Sequence, residues 1–142
     1  EVIDIMELKA NTRNIQMIIQ NHTSAPLYVL ADKEKIRQVL INLIDNSIKY
    51  GRQSGKTFIK IYYFEQNLLI EIEDNGIGID EGHLQRIFER FYRVDKSRSR
   101  EVGGTGLGLA IVKHIIEAHN QHINVRSKVG VGTTFTFTLT LA

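Results

Sequence analysis

The chain has 142 residues, 42% apolar and 24% charged, which fits one globular domain and excludes a disordered chain. It has no cysteine, so a disulfide framework and a thiolate metal centre are excluded. No apolar run approaches the ~18 residues of a membrane helix, no signal peptide is visible, and a net charge of +2 is too small to argue for a nucleic-acid partner.

The chain starts at Glu1, without a methionine, and reads as a fragment of a longer protein. Residues 1–13 read as the end of a helix. Asn14 to Gln20 is rich in β-formers and reads as a strand. Pro26 opens a second short strand, Leu27 to Leu30. Asp32 is an N-cap for a helix running to about Tyr50. Ile36, Val39, Leu40, Leu43, Ile44 and Ile48 lie on one buried face of it. Phe58 to Phe64 and Leu68 to Ile72 alternate around a polar turn and predict a hairpin. A loop, DNGIGID, follows, then a short helix from Leu84 to Phe91 and a charged, glycine-ended loop over 94–104. Leu107 to His119 is helical, with Leu109, Val112, Ile115 and Ile116 as its apolar stripe. Ile123 to Arg126 and Thr134 to Leu141 are strands joined by KVGVG. Paired strands and one-faced helices predict an α/β two-layer sandwich, with a mixed, mostly antiparallel sheet covered on one face by about three helices. No repeat or linker divides residues 1–142, so a single domain is expected.

Three groups of residues carry candidate chemistry. Eight of the eleven glycines fall in three clusters: Gly76 and Gly78; Gly103, Gly104, Gly106 and Gly108; Gly130 and Gly132. The second cluster runs directly into a helix, where free amides and absent Cβ atoms form a phosphate site. Residues 86–101 add six cations against three carboxylates, a local charge of +3 that suits a small anionic ligand. A flexible hinge beside a solvated charged helix end fits the same residues. Neither the Walker loop nor the dinucleotide G-x-G-x-x-G spacing matches.

Asn42, Asn46 and Lys49 share one stripe of the 32–50 helix. Two amide oxygens at that spacing suit a hard cation such as Mg²⁺, and a lysine suits a phosphate. An ordinary exposed face carrying two asparagines is the alternative. Asp74 ends a strand and could accept from an amino group such as the exocyclic amine of adenine. An Asx-type turn after a strand would also place an aspartate there.

The ordered segments NLIDNSIKY, DNGIGI, IFERFYR, GGTGLGLAIVK and GVGT resemble the N, G1, F, G2 and G3 boxes of bacterial sensor histidine kinases, members of the Bergerat-fold ATPases. Among those kinases, the FYRVDKSRSRE stretch looks most like the phosphate-limitation and cell-wall branch. The resemblance implies an ATP-binding catalytic domain using ATP and Mg²⁺. By position it makes Asn46 the Mg²⁺ ligand, with Asn42 beside it. Lys49 and Tyr50 would face the phosphates and the ribose or base edge. Asp74 would bind the adenine amine, and Gly76, Gly78 and Ile79 would shape the base pocket. Tyr92, Arg93 and Lys96 would serve the phosphates or a partner domain. Gly104, Thr105, Gly106, Leu107 and Gly108 would cradle the phosphates, and Thr133 would close the base pocket. Gly51, Asp80 and His119-Asn120-Gln121 depart from the family pattern. Asn120 tolerates the left-handed position that ends a helix, so the helix end is expected to survive.

The resemblance further implies a cytoplasmic domain of a membrane-anchored, dimeric parent, with the fragment itself monomeric. The domain would give the γ-phosphate to a histidine on a separate dimerisation domain, which would feed a response regulator. None of His22, His83, His114, His119 and His122 lies in a phosphoacceptor segment, so the fragment is expected to bind ATP without phosphorylating itself. Hydrolysis of the gyrase or Hsp90 kind is disfavoured, because Asn42 stands where those enzymes carry a glutamate and an amide is no general base. An ATP-gated docking module, with 94–104 as its lid, is the other expectation.

Overall fold

The computed structural model describes residues 1–23, 27–93 and 107–142. In chain order these form α1 (Val2–Asn11), β1 (Gln16–Asn21), α2 (Lys33–Lys49), β2 (Lys56–Phe64), β3 (Asn67–Asp74), α3 (Glu81–Leu84), α4 (Gly108–Ala118), β4 (Ile123–Lys128) and β5 (Gly132–Thr140). The strands make one five-stranded sheet in the order β1-β2-β3-β5-β4. Only β1 and β2 run parallel. A parallel pair needs a crossover, and α2 is that crossover.

Period-2 patterning sets which sheet face is covered. Along β3, Leu68, Ile70, Ile72 and Asp74 are buried, and along β5 Thr133, Phe135, Phe137 and Leu139 are buried. Facing them, α2 buries Val39, Leu43, Ile44 and Ile48, while α4 buries Val112, Ile115 and Ile116. Each of the apolar side chains among these contributes about 1.5–3 kcal/mol by leaving water. The opposite sheet face carries Lys60, Glu71, Glu73 and four threonines of β5, with a Lys60–Glu73 ion pair at 3.2 Å. The sheet is therefore mixed, mostly antiparallel and covered on one side, as the patterning predicts.

Several local expectations hold in detail. The Asp32 side chain accepts from Lys35 N–H at 3.1 Å and caps α2. Asn120 has φ +59°, with Asn120 N–H on Glu117 O at 2.9 Å and Gln121 N–H on Ile116 O at 3.1 Å. That bond pair is a Schellman termination of α4 with asparagine in the glycine position.

Two expectations are corrected. Leu27 to Leu30 is no strand; Val29 makes a single bridge to Leu141, and the chain bends at Leu30 toward the α2 cap. The bridge lies beyond Phe137, the last β5 residue that β4 pairs, so no second ladder continues it. Leu84 to Phe91 is no helix. The helical turn lies earlier, at Glu81–Leu84, where Asp80 caps it by accepting from Gly82 N–H at 3.1 Å. Beyond it, Arg86, Glu89 and Tyr92 N–H each reach the carbonyl three residues back, and Phe91 takes φ +64°. Successive tight turns bury Ile87 and set Phe88 edge-on to Phe135 at 6.1 Å.

Candidate functional site

The last residues of β3 and the first of β5 place a polar row across an otherwise apolar sheet face. Thr57, Asp74, Thr133 and Ser127 are successive cross-strand partners on β2, β3, β5 and β4. Asp74 is 7% exposed. Its Oδ1 accepts from Gly76 N–H at 2.9 Å and Thr133 N–H at 3.3 Å. Among the described residues nothing hydrogen-bonds its Oδ2. Burial pushes its carboxyl up to about 6, against the lowering effect of the two amides and with a small push from Glu73. A buried carboxylate with one unmatched oxygen is costly, unless a donor arrives from outside the protein.

The DNGIGID segment wraps this carboxylate at close range. A Cβ on Gly76 would lie 2.3 Å from Tyr50 O and 2.9 Å from Asp74 Oδ1. Gly78 has φ +75°, and a Cβ there would lie 2.2 Å from Lys128 O. Both positions are therefore closed to other residues. Ile79 N–H donates to Ser127 Oγ at 2.7 Å, and Ser127 Oγ lies 2.8 Å from Thr133 Oγ1. Asp74, Gly76, Gly78, Ile79, Thr133 and Tyr50 thus meet in one place.

The α2 residues form the neighbouring wall. Asn46 makes no side-chain hydrogen bond among the described residues. Asn42 Nδ2 donates to Gly108 O at 3.5 Å, joining α2 to the start of α4, and its Oδ1 makes no hydrogen bond among the described residues. These two amide oxygens fit a hard cation that draws its other ligands from phosphate and water. No group of three or more His, Cys, Asp or Glu able to hold a metal occurs among the described residues. The Lys49 ammonium pairs with Asp45 at 3.0 Å, and Lys9 reaches the other Asp45 oxygen at 3.1 Å.

Tyr92 OH bonds His83 Nδ1, and the Arg86 guanidinium stacks on the Tyr92 ring at 4.5 Å. These contacts tie Tyr92 to the α3 side, with Arg93 half-buried beside it. Leu107 caps α4 and Gly108 opens it. Lys96, Gly104, Thr105 and Gly106, together with the expected lid over 94–104, lie outside the described residues.

Sequence reasoning missed Ser127, Asn75 and Arg52. Asn75 Oδ1 accepts from Lys56 N–H at 2.8 Å and ties the loop to β2. Arg52 donates to Gly76 O at 3.4 Å and also to Gly130 O, bridging two glycine loops. Ser127 had a signal only in the β4–β5 register, which places it opposite Thr133.

Residues 31–142 match the family described as histidine kinase-, DNA gyrase B-, and HSP90-like ATPase. The sensor histidine kinase WalK of Bacillus subtilis strain 168 is 49% identical over 123 residues, 85% of this chain and 20% of WalK. The chain spans about a fifth of the length of the curated relatives it matches. Full-length ShkA in complex with AMPPNP superposes with a TM-score of 0.84 at 27% identity, over 99% of this chain and 29% of ShkA. Histidine kinase ThkA in complex with the response regulator TrrA gives a TM-score of 0.80 at 27% identity, over 99% of this chain and 38% of ThkA. Among the described residues, no helix is long and apolar enough to cross a membrane.

Proposed function

Since the chain belongs to the family of histidine kinase-, DNA gyrase B- and HSP90-like ATPases, we propose that it is the catalytic domain of a sensor histidine kinase. It binds Mg·ATP and serves transfer of the γ-phosphate to a histidine on a separate dimerisation domain, which in turn feeds a response regulator. ATP supplies the phosphoryl group: a histidine ring nitrogen gains the bond to phosphorus and ADP leaves. The observation that carries the reading is Asp74, a buried carboxylate with one unmatched oxygen in a pocket whose glycines admit no side chain.

The residues divide the work. Asp74 accepts the exocyclic amine of adenine through the oxygen that lacks a protein donor. Gly76, Gly78 and Ile79 line the base, and Thr133 closes it. Asn46, with Asn42 beside it, holds Mg²⁺; Lys49 adds countercharge once released from Asp45, and Tyr50 edges the ribose. Gly104, Thr105, Gly106, Leu107 and Gly108 lead into α4, whose N-terminal amides receive phosphate. Tyr92, Arg93 and Lys96 serve the phosphates or the partner domain. That the similar kinase ShkA is found with AMPPNP and ThkA with the response regulator TrrA supports the nucleotide and the response regulator in this reading.

Transfer is favoured over hydrolysis by the groups available to activate water. Asn42 carries an amide. Asp45 has both oxygens engaged by the ammonium groups of Lys9 and Lys49. Phosphoryl transfer, by contrast, needs mainly positioning and charge stabilisation. With γ-labelled ATP and a dimerisation domain bearing the phosphoacceptor histidine, label is expected on that histidine only when both proteins are present. Steady phosphate release by this chain alone, or label on this chain, would overturn the kinase reading.

The metal role has its own test. Asn46→Ala is expected to weaken ATP binding about tenfold in Mg²⁺ and hardly at all in EDTA. Equal losses in the two titrations would remove Asn46 from the metal site.

A further inference from the structure

The turn that ends α2 lies against the Gly76–Ile77 loop beside Asp74, and Arg13 holds that turn in place. Arg13 lies two positions beyond the end of α1. Its Nη1 donates to Ile48 O at 2.5 Å and to Lys49 O at 2.6 Å, and its Nη2 donates to Gly51 O at 2.9 Å. A helix C-terminus leaves carbonyls unsatisfied at the negative end of the macrodipole, where a planar cationic fork fits well. The Arg13 carbonyl also accepts from Ser54 N–H at 2.9 Å, so one residue pins both sides of the 50–54 loop.

The carbonyl between those that Arg13 holds belongs to Tyr50, and it meets the loop that follows Asp74. Tyr50 O accepts from Ile77 N–H at 3.3 Å. A Cβ on Gly76 would lie 2.3 Å from Tyr50 O and 2.8 Å from Gly51 Cα. Gly76 in turn donates to Asp74 at 2.9 Å. A short covalent and hydrogen-bonded chain therefore runs from α1 through Arg13 and the end of α2 to the adenine carboxylate. The Lys9–Asp45–Lys49 ion pairs make a second tie from α1 to the same turn.

Building on the nucleotide-binding role above, we propose that Arg13 is a positioning residue of the nucleotide site, which sets the turn that ends α2 against Gly76 and Ile77 and so links the placement of α1 to ATP affinity. Without the guanidinium, water can satisfy the three carbonyls. The fold then survives, while that turn is no longer fixed. Lysine restores the charge without the fork, so it restores only part of the effect.

The test is calorimetric titration of Mg·ATP into the wild-type chain, Arg13→Gln, Arg13→Lys and Leu68→Ala, alongside amide NMR spectra without nucleotide. Leu68 lies at the far end of β3 from Asp74, and its truncation is the destabilised control. Arg13→Gln is expected to bind about tenfold more weakly than wild type, Arg13→Lys to fall between, and Leu68→Ala to keep wild-type affinity. The Gly76 and Ile77 amide resonances are expected to move in Arg13→Gln. Unchanged affinity in Arg13→Gln with unmoved Gly76 and Ile77 resonances would overturn the proposal; so would an equal affinity loss in Leu68→Ala. If Arg13→Gln fails to fold, Arg13→Lys is judged by the same two readouts. If the wild-type chain does not bind Mg·ATP, the proposed function fails, and the amide shifts still decide whether Arg13 positions the loop.

Discussion

Replacing Asp74 with asparagine is expected to stabilise the nucleotide-free protein at pH 8 and to abolish its ATP binding. Burial has raised the carboxyl from 3.8 to about 6. Above that value the folded protein carries a buried charge that the unfolded chain would hydrate. A shift of this size corresponds to roughly 3 kcal/mol of destabilisation. Asparagine keeps an oxygen for the Gly76 and Thr133 amides and removes the charge. Its NH₂ then occupies the unmatched position, which costs about 1–2 kcal/mol. A net gain of about 1–2 kcal/mol remains, a few degrees in melting temperature. The sign of the pH dependence follows. Between the unfolded value and about 6 the folded state binds the proton more tightly, so the wild type gains stability as pH falls through that window. The advantage of the variant should therefore be full above pH about 6 and shrink below it. Thermal melts of both proteins at pH 5 and pH 8 check this. A variant less stable than wild type at pH 8 would mean that Asp74 is a structural anchor. For binding, the new NH₂ would face the adenine amine donor to donor, and affinity should vanish.

Gly132→Ala is expected to damage fold and site together. Gly132 has φ +143°, and a Cβ there would lie 2.0 Å from Asp74 O and 2.9 Å from Asn75 Cα. Both neighbours are backbone, so β3 and β5 must part at the level of the carboxylate. Backbone strain and overpacking together amount to about 2–5 kcal/mol. Gly130 is the matched control. It also has positive φ, at +81°, but a Cβ there meets nothing within 4 Å. Gly130→Ala should cost about 1 kcal/mol and leave nucleotide binding intact. Denaturant midpoints and titrations of the two variants make the comparison. Wild-type stability and affinity in Gly132→Ala would show that the close approach of the two strands does not shape the pocket.

What the sequence reveals tracks how local each cause is. The α2 face, the Asp32 cap and the left-handed Asn120 depend on residues within a turn or two, and all three read directly. The helix expected over 84–91 fails because Asp80 caps an earlier turn and the chain then winds through bonds to the third residue back, a choice that apolar spacing does not report. Leu27 to Leu30 fails because a strand needs a partner, and the chain just past β5 offers it a single bridge, Val29 to Leu141. Within the site, the glycine clusters and Asp74 stand out as residue types. The Thr57–Asp74–Thr133–Ser127 row does not, since it exists only through strand register. Arg13 is still less visible, because its partners are carbonyls 35 to 38 residues away and any sequence would supply them.

Calorimetric titration of Mg·ATP into this chain and into its Asp74→Ala variant tests the nucleotide pocket most directly. Binding by the wild type and none by the variant is the predicted result. Equal binding by both would move the adenine away from Asp74, and no binding by either would contradict a nucleotide site altogether.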